Sequence, residues 1–291
     1  MTRSRSTACA LLLVAAGALP HPLLAQSTPA TPAITVPAPD VIQEIALRDG
    51  TRAFGRVERV AEGRVVFRTL AGATIDIAVA DVLQVTVASG RMVGREFWRA
   101  DPNPTRLFFG PTGRALERGD AYLGVYEVFI PFVQVGLTDR ISLGAGTPLV
   151  FGGGGNRPFW LTPKVTLLAR PRTQVAAGAM HMMNIDGDSL GVVYGVVTQG
   201  SRDSAITVGA GYAYARYEDN GAPVAMVGAE HRVHRHVKLV TENYVFEEGG
   251  IMSAGVRFMG QRLSADLGLA TPLGIDEFFV FPMINFVWTF R

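Results

Sequence analysis

Residues 284–290 read INFVWTF. In an extended strand successive side chains point to opposite faces. Ile284, Phe286, Trp288 and Phe290 therefore share one face, with Asn285 and Thr289 on the other. The same alternation sorts residues 263–269, where Leu263, Ala265, Leu267 and Leu269 oppose Ser264, Asp266 and Gly268. It recurs in residues 205–215, where Ile206, Val208, Tyr212 and Tyr214 oppose Thr207, Gly209, Gly211 and Ala213. One face of each segment is apolar and the other polar, as expected of a strand with lipid on one side and a lumen on the other.

Upstream of this stretch the chain from Asp120 onward divides into similar pieces. They lie at 121–128, 131–137, 141–147, 161–169, 173–183, 190–198, 205–215, 224–233, 237–246, 251–259, 263–269 and 280–290. That is about twelve strands, near the roughly 9–11 residues that cross a bilayer when tilted. The connections alternate between tight and longer. Tight turns at 138–140, 170–172, 199–203, 234–236 and 260–262 each contain arginine. Longer loops at 148–160, 184–189, 216–223, 247–250 and 270–279 carry Asp186, Asp188, Glu218, Asp219, Glu247, Glu248, Asp276 and Glu277. The tight junction at Phe129-Ile130 breaks the alternation. Short turns on one side and long loops on the other are the asymmetry of outer-membrane barrels. Tyr212, Tyr214, Tyr244, Trp160 and Trp288 fall near strand ends, where aromatic girdles form.

From Asp120 onward the chain thus resembles a Gram-negative outer-membrane β-barrel. The INFVWTF stretch resembles the C-terminal signal read by the barrel-assembly machinery, with Arg291 one residue beyond the usual terminal aromatic. The resemblance implies an antiparallel all-β transmembrane barrel, outer-membrane lipid as its surroundings and the assembly machinery as a partner in biogenesis. A fold class carries no specific activity with it.

The remaining sequence fits an exported chain of 291 residues. Residues 1–25 read as a signal peptide, with Arg3 and Arg5 before the apolar run 8–18 and cleavage after Ala25. The one cysteine, Cys9, lies inside it, so the mature chain offers no disulfide, thiolate ligand or cysteine nucleophile. Net charge is +2 and charged residues make up 18%, which gives no case for nucleic-acid binding. Residues 26–40 form a linker carrying Pro29, Pro32, Pro37 and Pro39. Residues 41–88 predict five short strands, and the stretches LRDGTRAFGRV and VVFRTLAGATIDIAVADVLQV resemble the small Sm-like or SH3-like barrels. Such a module in the periplasm suits docking to a protein partner. Residues 89–119 form a connector with a high aromatic density (Phe97, Trp98, Phe108, Phe109) and two prolines in Asp101-Pro102-Asn103-Pro104. It reads either as a plug at the barrel mouth or as an interfacial belt.

Charged side chains on strands of a membrane barrel belong inside, because facing lipid near the midplane costs up to several kcal/mol. That assigns Lys164, Glu230, Arg232, Lys238, Glu242, Arg257 and Asp266 to the lumen. Glu230, Arg232, Lys238 and Glu242 come from neighbouring strands, so cross-strand pairs are expected. The set reads as a selectivity ring or substrate-guiding ladder, or as a salt-bridge network filling a narrow barrel; both signs being present favours the network. His231, His234 and His236 cluster at one turn, but opposite strand parity argues against a metal site. Ser189, Ser204, Ser253, Ser264 and His181 form no Gly-x-Ser-x-Gly motif and no spacing that suggests a triad. Gly152–Gly155 lacks the Lys-Ser/Thr of a phosphate loop, and Asp186-Gly187-Asp188 lacks the further oxygens of a calcium loop. No catalytic, cofactor or metal residue is expected. The expected function is a porin-like, narrow passive channel or structural component of the outer membrane. The alternatives are an outer-membrane hydrolase and a soluble periplasmic β-rich binding protein.

Overall fold

A computed structural model of the chain describes residues 34–149, 157–185, 188–216, 218–275 and 278–290. Residues 1–25, read above as a signal peptide, the first part of the expected linker, Gly152–Gly155, Asp186, Asp276, Glu277 and Arg291 lie outside the described residues. The chain separates into two units, 1–88 and 89–291.

In the first unit five strands form one antiparallel sheet. They are β1 (Gln43–Leu47), β2 (Arg52–Ala61), β3 (Arg64–Thr69), β4 (Thr74–Ala78) and β5 (Val82–Val87), in the order β4-β3-β2-β1-β5. Alternate positions bury Ile45, Val57, Val65, Phe67, Ile77 and Val82 as one core. The β2–β3 turn places Glu62 at φ 53° and Gly63 at φ 72°, both left-handed, as a two-residue hairpin of matching twist requires. A single 3-10 turn, Val79–Asp81, links β4 to β5. The side-chain oxygen of buried Gln43 accepts the Val57 N–H at 2.9 Å, so this polar side chain is satisfied inside the core.

The second unit opens with the hairpin β6 (Gly90–Val93) and β7 (Glu96–Arg99). After the connector come the strands β8 (Ala121–Tyr126), β9 (Ile130–Gly136), β10 (Ile141–Gly146), β11 (Phe159–Ala169), β12 (Thr173–Ile185) and β13 (Asp188–Gly200). They continue as β14 (Ser204–Ala215), β15 (Glu218–His234), β16 (Val237–Phe246), β17 (Gly249–Met259), β18 (Leu263–Leu273) and β19 (Phe281–Phe290). These twelve strands form a closed antiparallel barrel, the architecture expected from the alternation. Closure is made by β19 against β8, from Phe290↔Ala121 to Asn285↔Tyr126. No sheet edge is left open in this ring, which removes the unpaired backbone groups that edges present.

The decisive stretch behaves as its alternation dictates. Asn285, Val287 and Thr289 are buried inside, while Phe286, Trp288 and Phe290 are exposed outside. Around the barrel the outer face carries Val135, Leu143, Leu167, Val197, Val208, Leu239 and Leu267, all exposed. Two expectations need correction. Trp160 and Tyr244 do not join an outer girdle, because their parity matches the inward Lys164 and Glu242; both face the lumen. Tyr212 and Trp288 do stand outside, at 49% and 44% exposure. The loops expected at 184–189 and 216–223 are mostly strand, with Ile185 paired to Asp188 and Ala215 to Glu218. Backbone pairing continues there after the apolar alternation has faded, since the ladder satisfies N–H and C=O groups whatever the side chains. The tight junction between β8 and β9 turns on Glu127 and Val128 at φ 47° and 66°, an uncommon conformation for a β-branched residue.

A closed barrel of this kind should keep its shape in cold detergent. Unboiled, detergent-extracted protein is expected to run at a different gel mobility from boiled protein; one identical band in both lanes would count against closure.

Candidate functional site

Between β7 and β8 the connector makes almost no secondary structure of its own, beyond a single bridge between Arg106 and Pro111. Yet Asp101, Asn103, Leu107, Phe108, Thr112 and Arg114 are buried. Buried backbone without a ladder must find other partners. The inner face of the barrel supplies them.

Glu242, on β16, is the clearest case. Its carboxylate accepts N–H groups from Phe108 at 2.7 Å, Phe109 at 3.1 Å and Gly110 at 3.0 Å. Tyr244 also donates to it, at 2.7 Å. Three consecutive N–H groups converging on one anion form a backbone nest. Across the ladder Glu242 faces Gly228, where a Cβ would collide with Leu107 of the connector. Glycine at that position is what lets the connector approach the wall.

Arg257, on β17, does the complementary work. Its guanidinium donates to the carbonyls of Asn103 at 2.7 Å, Arg106 at 3.2 Å and Leu107 at 2.5 Å, and also grips Asp266 at 2.7 and 3.0 Å. Lys164, on β11, donates to the carbonyls of Thr105, Thr112 and Arg114 at 3.4, 3.2 and 2.8 Å. Gly113 N–H reaches Thr198 and the Pro102 carbonyl reaches Thr289, each at 2.9 Å.

The ion pairs run through the same segment. Lys238 and Arg257 sit directly opposite each other on β16 and β17. Like charges in that register repel. Asp101 of the connector inserts between them, 2.5 Å from Lys238 and 3.5 Å from Arg257. Lys238 also meets Glu230 at 3.1 Å, and Glu230 pairs with Arg114 of the connector. The result is a continuous series, Asp266–Arg257–Asp101–Lys238–Glu230–Arg114, alternating in sign. Arg232 is held apart from it, bound to Asp203 at 3.0 Å and to the Arg99 carbonyl at 2.6 Å, and lying 5.1 Å from the Trp98 ring centre. Arg91 takes the other oxygen of Asp203 at 2.5 Å.

All seven residues assigned to the lumen by sequence are buried, none more than 6% exposed: Lys164, Glu230, Arg232, Lys238, Glu242, Arg257 and Asp266. Of the four on neighbouring strands, Lys238 and Glu230 make a cross-strand pair at 3.1 Å, and the other two do not pair within the set. Arg232 lies opposite Lys238, and Glu242 turns to the connector rather than to either cation. Their partners Asp101, Arg114 and the N–H groups of 108–110 escaped the sequence reading. One signal pointed there: the seven inward residues hold four cations and three carboxylates, leaving one cation over, and Asp101 lies in the nearest unassigned segment.

The other candidates fall elsewhere. His231 bonds Ser204 at 2.7 Å at the exposed turn end, and His236 contacts the Met259 carbonyl at 3.0 Å. Among the described residues no three metal-ligating side chains converge. His181 pairs with Tyr214 at 3.0 Å rather than with a serine. Buried Ser253 donates to the Glu242 carbonyl, and Ser264 is buried as well.

At the far end of the connector the lumen changes character. A cavity of about 760 Å³ opens there, walled by Trp160, Met180, Met182, Tyr194 and Met226. Arg106 lies on its floor with its guanidinium 4.6 Å from the Phe132 ring centre, donating to Tyr122 at 2.9 Å and Gln134 at 2.7 Å.

No protein-family model and no curated protein matches the sequence. Among solved structures the chain is similar to a KdgM porin in complex with disordered oligogalacturonate, at TM-score 0.47 and 4% identity, covering 59% of this chain and 98% of that one. It is similar to the NanC porin at TM-score 0.44 and 7% identity, with the same coverages of 59% and 98%. A loop-deletion form of OmpT, an outer membrane protein of Vibrio cholerae, aligns at TM-score 0.38 and 12% identity over 86% of this chain and 96% of that one. At such scores and identities the inner face of this barrel has to be understood from its own residues.

Two outcomes follow from the geometry. Asp101→Ala leaves Lys238 and Arg257 buried without their shared anion, and should lower unfolding stability by about 3–5 kcal/mol, measured by urea titration in detergent. Asp203 is held below its ordinary value of 3.8: burial acts to raise it, but the bonds from Arg232 and Arg91 outweigh burial. Its contribution is therefore full above the ordinary carboxylate value and fades as pH falls through the depressed one. Wild type and Asp203→Asn should differ most at neutral pH and converge in strong acid; a constant gap at every pH would remove the charge from the explanation.

Proposed function

We propose that the chain is an outer-membrane β-barrel protein whose connector acts as a plug and keeps the lumen shut at rest. One observation carries this reading: the twelve-strand ring turns an apolar face outward while its charges point inward onto the connector. An apolar outer surface around a closed barrel is the solution a bilayer demands, because closure pairs each strand on both sides and leaves no open edge. A soluble protein of this fold would expose that belt to water.

The plug makes the structural or gated form of the barrel the better reading than an open passive channel. Passage through the lumen requires the connector to leave Glu242, Arg257 and Lys164 together. The first unit fits an Sm-like or SH3-like docking module on the periplasmic side, a reading supported by its strand order and its 3-10 link between β4 and β5. The two longer connections, β10 to β11 and β18 to β19, both lie at the end opposite the connector's entry, which supports placing the entry end in the periplasm.

The test combines location and conductance. The protein should co-fractionate with outer membranes, and in a planar bilayer the full chain should be electrically silent. Replacing residues 100–116 by a Gly-Ser linker of equal length should give discrete conductance steps. Equal steps from both proteins would sink the plug, and recovery in the soluble periplasm would sink the membrane reading.

A further inference from the structure

The two halves of the lumen differ in chemistry. Where the connector lies, the wall is charged and every charge has a partner. Beyond it, the cavity of about 760 Å³ is walled by aromatic and methionine side chains. That size falls within the roughly 300–1,000 Å³ of small-molecule sites. The interior of an aqueous pore is polar. This chamber instead resembles a core from which the filling has been left out, and methionines such as Met180 and Met182 adapt their shape to a variable guest.

Thr105, Arg106, Gln134, Thr162 and Lys164 break the otherwise apolar lining. Arg106 stands on the floor with its ring neighbours Tyr122, Tyr126 and Phe132 beneath the guanidinium. Two of its nitrogens are well used, by Tyr122 and Gln134. The third has only a long 3.5 Å contact with the Phe109 carbonyl. Among the described residues Arg106 makes no ion pair. Lys164 also borders the cavity, but its ammonium already serves three connector carbonyls. The chamber therefore offers one cation with a free edge and a long apolar wall.

We propose that this chamber binds a single-chain amphipathic monoanion, a fatty carboxylate in chemical class, with its carboxylate on Arg106 and its chain against Trp160, Met180 and Met182. A single carboxylate matches the one guanidinium edge left open on Arg106, since the Lys164 ammonium already has three carbonyl acceptors. The inference rests on the outer-membrane reading for the setting of the site, and not on movement of the plug. Seated on the connector's own Arg106, the ligand would touch the segment that closes the lumen.

The test uses the full chain in phosphatidylcholine vesicles, titrated with 9,10-dibromostearate, whose bromines quench tryptophan. The expected result is saturable quenching at one ligand per chain that is lost in Trp160→Phe. Arg106→Gln should weaken binding about tenfold or more, the scale of one charge-assisted hydrogen bond. Ala213→Phe, at a position bordering the cavity, should block binding while leaving every charge in place. Folding of each variant is checked by its mobility shift on boiling. Unsaturable quenching equal in wild type and Trp160→Phe would mean partition into the bilayer only, and would overturn the site. Equal affinity for the methyl ester would overturn the anionic head. Protein that fails to float with vesicles would refute the membrane reading instead, and the same titration in solution would then decide the site by the same criteria.

Discussion

Asp101 between Lys238 and Arg257 is the contact on which the lumen depends. The ladder places two cations directly opposite each other on neighbouring strands, in a space that water does not reach. Neither strand can supply the anion between them, because the facing positions are already taken by the cations. The connector supplies it. Without that carboxylate Lys238 would keep only Glu230 as an anionic partner and Arg257 only Asp266, and the two facing cations would have no anion between them, a costly defect in a buried network.

A buried ion-pair series of this kind contributes less net stability than its number of contacts suggests, since each charge is stripped of water. Its value lies in register. Asp101 and Arg114 fix the connector at two points along the barrel wall, and Glu242 fixes the turn at 108–110 between them in sequence. Arg257 and Lys164 then satisfy carbonyls that have no ladder. A segment with almost no secondary structure of its own is thereby fixed to the wall, because side chains of the barrel meet many of its backbone polar groups.

The division of the lumen follows from the same arrangement. Charges are concentrated where the connector needs partners. Beyond the tip of the connector there is no backbone to satisfy, and the wall reverts to apolar side chains. The Arg106 guanidinium marks the boundary. It belongs to the connector, leans on three aromatic rings and faces the apolar chamber.

Much of the barrel was legible in the sequence. Period-two alternation in stretches such as INFVWTF determines which side chains face out. The high cost of a charge in lipid assigns Lys238, Arg257 and their neighbours to the inside, and turn chemistry sets the number of strands. Trp160 and Tyr244 show the limit of reading aromatics by closeness to a strand end, since parity rather than position decides their face. What only the tertiary structure decided is which inward charges meet, and what meets them. Contacts such as Asp101 with Lys238 join residues 137 positions apart, and the three N–H groups that hold Glu242 are main-chain atoms that no residue letter encodes. Alternation is a local property of the strand and can be read along the chain. The partners of a lumen side chain depend on the stagger of twelve strands and on the path of a segment without periodicity, and these exist only once the ring is closed.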